Sequence, residues 1–296
     1  MKQTFYRMLG LAALGSLAFA CSHDEVVAPR NSVSATASPQ DATATRDGNL
    51  ALGNPSGATT STTNYTNYLL TKAQYSLSYH RDRGIPNWVS WHLSSAWLGS
   101  TARQDNFAAD NTLPSGWYRV GSSSYSGSGF DRGHNCPSAD RTGSVADNSA
   151  TFLMTNMMPQ APNNNQRTWA ALENYCRTLV NQGNELYVIC GSYGRGGTGS
   201  NGTYTTLDAG RVTVPAQCWK VVVVLPVGTS DASRVTTGTR VIAINTPNIN
   251  TLNTSWSAYR TTVDAIEQAT GYDILSAVSA SVQSVIEARV DNGPTS

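Results

Sequence analysis

Phe130-Asp131-Arg132-Gly133-His134-Asn135 is the stretch on which the reading of this chain turns, taken together with three later segments: Thr155-Asn156-Met157-Met158-Pro159-Gln160, then Asn165-Gln166-Arg167-Thr168-Trp169 and Leu172-Glu173. A lone Asp-Arg-Gly-His proves little; the ordered set is hard to obtain by chance. Residues 165–181 contain no Gly or Pro, carry apolar residues at helical spacing and stop just before Gly183, so a helix is expected there. Positions 165, 169, 173 and 177 then step about 40° apart and form one slanted stripe. Gly121–Gly129 reads as a Gly/Ser loop leading into the motif.

In order and spacing these residues resemble the DNA/RNA non-specific endonucleases of the ββα-metal (His-Me finger) superfamily. The resemblance runs from about Tyr68 to Val290, with Leu186-Tyr187-Val188-Ile189, Trp219-Lys220-Val221-Val222 and Ile266-Glu267-Gln268-Ala269-Thr270-Gly271 in the family's order. It implies a ββα-metal nuclease fold and an endonuclease that hydrolyses phosphodiester bonds of DNA and RNA without regard to sugar or sequence. It also implies dependence on Mg2+, with Mn2+ as a substitute, and 5′-phosphate ends. The chain departs from the family at Asn135-Cys136 and in a Gly-rich insert, Gly191 to Gly202.

The residue types suit that chemistry. His134 is the candidate base, because an imidazole of pKa about 6.5 takes a proton from water near neutrality with little tuning. The other histidines, His23, His80 and His92, read as ordinary surface or core residues. Asn165 is the candidate metal ligand: its amide oxygen is a hard neutral donor, and magnesium often keeps most of its waters. Asn165 also suits a helix N-cap, and both roles are compatible. By resemblance Glu173 holds a metal-bound water, while Arg132 and, less directly, Arg103 clamp phosphate oxygens where charge gathers in the transition state. Asn156 and Gln160 orient substrate or hold the loop. Arg177, four residues after Glu173, is read either as its ion-pair partner or as a phosphate contact. Trp169 is taken as packing.

Met1 to Ala20 reads as an export leader: Lys2 and Arg7, then an apolar run from Met8 too short for the roughly 20 residues that span a bilayer. Ala18-Phe19-Ala20 precedes Cys21, so two outcomes compete: an acylated Cys21 on a membrane or cell-surface lipoprotein, or a free thiol on a periplasmic or secreted protein; the reading favours the lipid. Lys2 and Arg7 leave with the leader, so 18 of the 20 basic residues face 19 acidic ones. Near-neutrality argues against coating nucleic acid by bulk charge, but not against a local Arg cluster. Cys136, Cys176, Cys190 and Cys218 allow three pairings in an oxidising compartment, and Cys136–Cys176 with Cys190–Cys218 is the favoured one.

From residue 21 to 63 the chain is rich in Ser, Thr, Ala, Pro and Asn and reads as a disordered tether. Residues 64–296 suit one domain. Val89, Trp91 and Leu93 alternate with Ser90 and His92, the period of a half-buried strand. Leu186–Cys190, Cys218–Leu225 and Arg240–Asn245 read as strands, Val263–Ala269 and Val282–Val290 as helices. Interleaving without regular βαβ alternation points to α+β with a central antiparallel sheet flanked by helices. The competing reading is a non-catalytic surface lipoprotein that binds nucleic acid or glycan on a nuclease-like fold.

Overall fold

Residues 184–193 show why the centre of this molecule is a sheet. Leu186, Val188 and Cys190 point to one face and Tyr187 and Ile189 to the other, and all five are buried, so an unbroken apolar run serves two cores at once. The computed structural model describes residues 43–296. Residues 1–20, read above as an export leader, Cys21 and residues 22–42, read as tether, lie outside the described residues.

In chain order the strands are β1 (Tyr68–Thr71), β2 (Ser76–His80), β3 (Ile85–Leu93), β4 (Asp131–His134), β5 (Met157–Gln160), β6 (Asn184–Tyr193), β7 (Gly197–Gly199), β8 (Gly202–Tyr204), β9 (Thr206–Leu207), β10 (Val212–Thr213), β11 (Gln217–Pro226), β12 (Arg240–Pro247) and β13 (Arg260–Thr261). The helices are α1 (Val145–Ala150), α2 (Ala170–Asn181), α3 (Asp231–Arg234), α4 (Val263–Thr270) and α5 (Ala280–Ile286). Seven strands form the main sheet in the order β1-β2-β3-β6-β11-β12-β13, with every neighbouring pair antiparallel. On one face α2 contributes Leu172, Tyr175, Cys176, Leu179 and Val180 to the core. On the other, α4, Ile286 of α5 and the loop residues Ile274, Leu275 and Val278 close the second core. The expected α+β class with a flanked antiparallel sheet is what the chain adopts.

Two expectations change together. All nine residues of β3 are buried, including Ser90 and His92, where alternation predicted a solvent face. The cover is the stretch composition had assigned to the tether. Leu52 and Ala58 enter the second core. Ser90 Oγ donates to Asn49 O at 2.6 Å, Asn49 Oδ1 accepts from His92 N at 3.2 Å, and Trp88 Nε1 donates to Ser56 Oγ at 2.7 Å. The folded body therefore starts well before residue 64, because a polar strand face can be covered by polar residues when each donor finds an acceptor.

The disulfide expectation is also corrected. Cys136, Cys176, Cys190 and Cys218 are all buried free thiols. They sit in one apolar core, where burial pushes the Cys136 and Cys176 thiols up to about 12 and those of Cys190 and Cys218 further up. Here cysteine acts as a small hydrophobe. No helix among the described residues is long and apolar enough to cross a membrane.

Candidate active site

β4 and β5 pair away from the main sheet, with His134 opposite Met157 and Asp131 opposite Gln160. Gly133 must be glycine: a Cβ there would lie 2.4 Å from Gln160 Oε1 and 2.6 Å from Gln160 Cβ. The chain then enters a wide, π-type turn over residues 164–169 before α2 begins. Such turns recur at functional sites because they re-aim a side chain. Asn165 lies inside that turn, its N–H already bonded to Ala161 O at 2.9 Å, so it does not cap the helix.

Asn165 and the motif meet through Asp131. Asn165 Nδ2 and Gln166 Nε2 each donate to Asp131 Oδ2 at 2.8 Å. A carboxylate only accepts, so this contact turns the amide nitrogen of Asn165 inward and leaves its oxygen as the free end. Asn165, Asp131, Arg132 and Arg103 line one polar cleft of about 440 Å³, walled by residues 122–130 and floored by Phe107.

Two phenylalanines hold the charged groups. The Arg132 guanidinium lies 3.8 Å over the Phe107 ring and that of Arg103 lies 4.8 Å over Phe152. His134 stands edge-on to both rings, with centroids 5.6 and 5.0 Å away. Arg103 is fixed further by Asp105 at 2.7 Å and Ser138 Oγ at 2.9 Å, and Arg132 Nη1 donates to Ser122 O at 3.3 Å. His134 is 8% exposed and its Nε2 has no partner. Burial above all, then the nearby Arg103 and Arg132, pushes its pKa down to about 3, so the ring is neutral across the neutral range.

The remaining candidates lie deeper. Asn156 is fully buried: its Oδ1 accepts from Cys136 N at 3.0 Å, and its Nδ2 donates to Cys136 O and Thr151 O, each at 2.9 Å. It holds the loop that follows His134 and has no free end for substrate. Gln160 is equally buried, wedged beneath Gly133. Of the two readings of Arg177, the i,i+4 pair with Glu173 is not made. Arg177 instead donates to Asp140 and Asn174, both at 2.6 Å. Glu173 faces Lys220 Nζ at 3.2 Å, and Lys220 lies 4.1 Å over the Trp169 ring. Burial raises the Glu173 carboxyl above its usual range, with Lys220 pulling the other way.

Sequence reasoning gave no role to Asp131, Lys220, Phe107 or Phe152. The signals were there: Lys220 interrupts an apolar strand in a chain with only three Lys, and Phe107, Phe130 and Phe152 are the only Phe after residue 20. Among the described residues, clusters of three or more His, Cys, Asp or Glu that could bind an ion lie elsewhere, at Asp47-His92-Glu185-Asp231 and Asp264-Glu267-Glu287. A cation in the cleft would have the oriented amide oxygen of Asn165, the carboxylates of Asp131 and Asp105 in the same lining, and water. That donor set fits a hard divalent ion that keeps its hydration shell.

Comparison with known proteins bears on the family and the fold. Residues 52–281 match the family model described as DNA/RNA non-specific endonuclease. A nuclease from Nostoc sp. is 51% identical over 285 residues, covering 96% of this chain and 98% of the relative. Nuclease C1 from Cunninghamella echinulata is 34% identical over 163 residues, 52% of this chain and 64% of the relative. Among solved structures, a chain from the crystal structure of the EndoG/EndoGI complex superposes with a TM-score of 0.62 at 23% identity, over 78% of this chain and 91% of that one. At that identity the superposition speaks for the fold alone.

Proposed function

The chain belongs to the DNA/RNA non-specific endonuclease family, a family of metal-dependent hydrolases, and on that premise we propose that it cuts DNA and RNA with Mg2+ and leaves 5′-phosphate ends. The observation that carries the proposal is that Arg132, Arg103 and an amide oxygen oriented by Asp131 line one polar cleft, with His134 edge-on behind Phe107 in that lining.

In this reading His134 takes the proton from a water that attacks phosphorus in line, a role its neutral state allows. Arg132 and Arg103, held on Phe107 and Phe152, present cations to the phosphoryl oxygens where charge develops, without reorganising during the step. Asp131 keeps the Asn165 oxygen turned outward; Asn156 pins the loop behind His134; Lys220 and Trp169 fix Glu173. The chemistry that a divalent ion supplies when bound through Asn165 is neutralisation of charge on the departing 3′ oxygen. Contacts confined to sugar and phosphate account for tolerance of both nucleic acids.

The residues before 43 support export and attachment through an acylated Cys21. Cys21→Ser should move the protein from the membrane fraction to the soluble one with unchanged specific activity. A free Cys21 on membrane-free native protein, read by mass spectrometry, would sink the lipid anchor. The catalytic proposal is tested by incubating residues 22–296 with plasmid DNA and total RNA, with and without EDTA. Loss of all cleavage in EDTA and recovery on adding Mg2+ is expected; undiminished cleavage in EDTA would refute it.

A further inference from the structure

The Gly-rich stretch at residues 191–202 has a place beside the cleft. β7 and β8 form its hairpin, which docks on the catalytic loop: Ser200 N donates to Gly129 O at 2.9 Å and Asn201 Nδ2 to Gly127 O at 3.0 Å. The approach is so close that glycine is required on both sides. A Cβ on Gly199 would meet Gly129 O at 2.4 Å, and one on Gly129, whose φ is +79°, would meet Asn201 N at 2.4 Å.

Beyond that contact, open clefts continue rim to rim. The catalytic cleft shares Ser126 and Gly127 with a second, bordered by Tyr204 and Thr206. The second shares Thr206 and Gly210 with a third of about 510 Å³, bordered by Arg83 and by Arg195 of the Gly-rich stretch. Both arginines are exposed, and neither meets a carboxylate within ion-pair distance among the described residues. Their neighbours differ: Arg81 is paired with Asp82 and Arg211 with Asp208, each at 2.7 Å. Asp82 and Asp208 also line this groove, each paired with its own arginine. That leaves Arg83 and Arg195 as forked cations without a carboxylate partner among the described residues, in a hydroxyl-bearing groove beside an exposed tyrosine, chemistry suited to a chain of phosphates carrying flat bases.

Resting on the nuclease reading above, we propose that this groove is a second binding track for the sugar-phosphate backbone of a polynucleotide strand, with Arg83 and Arg195 contacting phosphates remote from the bond that is cut. The track gives long strands an affinity that short ones lack, and compensates locally for the near-neutral charge of the whole chain.

The test uses the full chain and the double variant Arg83→Ala/Arg195→Ala on long single-stranded DNA and on a tetranucleotide. On the long strand KM should rise about tenfold with kcat unchanged, and the slope of log KM against log salt should become shallower by about 1.4, two contacts at roughly 0.7 each. The tetranucleotide should be cut at the parent's rate. An unchanged KM on the long strand, or an equal loss on both substrates, overturns the track. Anisotropy of a fluorescein-labelled 20-nucleotide strand in a His134→Ala background reads the same two side chains without catalysis. If the parent cuts neither substrate, the nuclease reading fails, while equal binding by single and triple variants would still refute the track by itself.

Discussion

His92 and His134 are both buried, and they stand in opposite chemical company. His92 Nδ1 accepts from Asp47 N at 3.2 Å, so Nε2 carries the proton and faces Glu185 Oε2 at 3.3 Å. Glu185 in turn binds Arg234, which also holds Asp231, so the charges around His92 form a closed network. His134 has two arginines near it and an Nε2 with no partner at all. The first imidazole is satisfied, which is what a core polar group needs. The second is kept neutral beside a cleft and lacks the hydrogen bond that would quiet it. Burial alone does not separate a satisfied imidazole from one with a free ring nitrogen; the groups each ring faces do.

The largest expected effect tests that contrast directly. His134→Ala should lower turnover by about 10²–10⁴-fold while leaving the thermal midpoint near the parent's. His92→Ala should keep most of its activity per folded molecule. Full activity in the first variant, or a well-folded but dead second one, would erase the distinction. Next in size, Asn165→Ala should lose activity steeply and regain part of it in excess Mn2+. Asp131→Ala, which removes only the group that turns the amide, should cost about 10–100-fold. If Asp131→Ala were silent, the orientation of Asn165 would have to come from elsewhere.

The stability effects are smaller. His92→Ala should destabilise by on the order of 3 kcal/mol, from a cavity and an orphaned Glu185 oxygen, measured by urea denaturation. His134 makes the opposite kind of contribution. Its folded pKa, near 3, lies below the unfolded value of 6.5, so from pH 6.5 downward the unfolded state binds a proton that the fold refuses. Between pH 6.5 and 5 the parent should therefore lose roughly 2 kcal/mol relative to His134→Gln, and a constant difference across that range would contradict the assignment. The smallest effect is a null: with four free thiols, reductant should not shift the thermal midpoint, whereas opening a disulfide would cost about 2–5 kcal/mol.

Much of this was legible along the chain. The strands at 186–190, 218–225 and 240–245 lie within β6, β11 and β12, and the helix expected before Gly183 is α2, closed by that glycine at φ +89°. Periodicity and punctuation are local properties, so they survive in the linear sequence. The helix expected at Val282–Val290 is right in kind and wrong in extent, since α5 ends at Ile286. The motif residues His134, Arg132 and Asn165 could be picked out because their order and spacing resemble the family's motif, which here falls on the β4–β5 pair and the turn after it.

What the sequence by itself determined was therefore the class of fold, the run of the main elements and the identity of the groups around the cleft. Tertiary structure decided everything that depends on what lies opposite. It covered β3 with polar residues from 45–58, kept the cysteines as thiols, and gave Arg177 to Asp140 and Glu173 to Lys220. It also turned Asn156 and Gln160 inward and set Phe107 and Phe152 beneath the charged groups. The physical reason is that composition and period report a residue's own preferences, whereas an ion pair or a covered strand face depends on a partner that can sit anywhere along the chain. Lys220 lies 47 positions from Glu173 in the sequence and 3.2 Å from it in space.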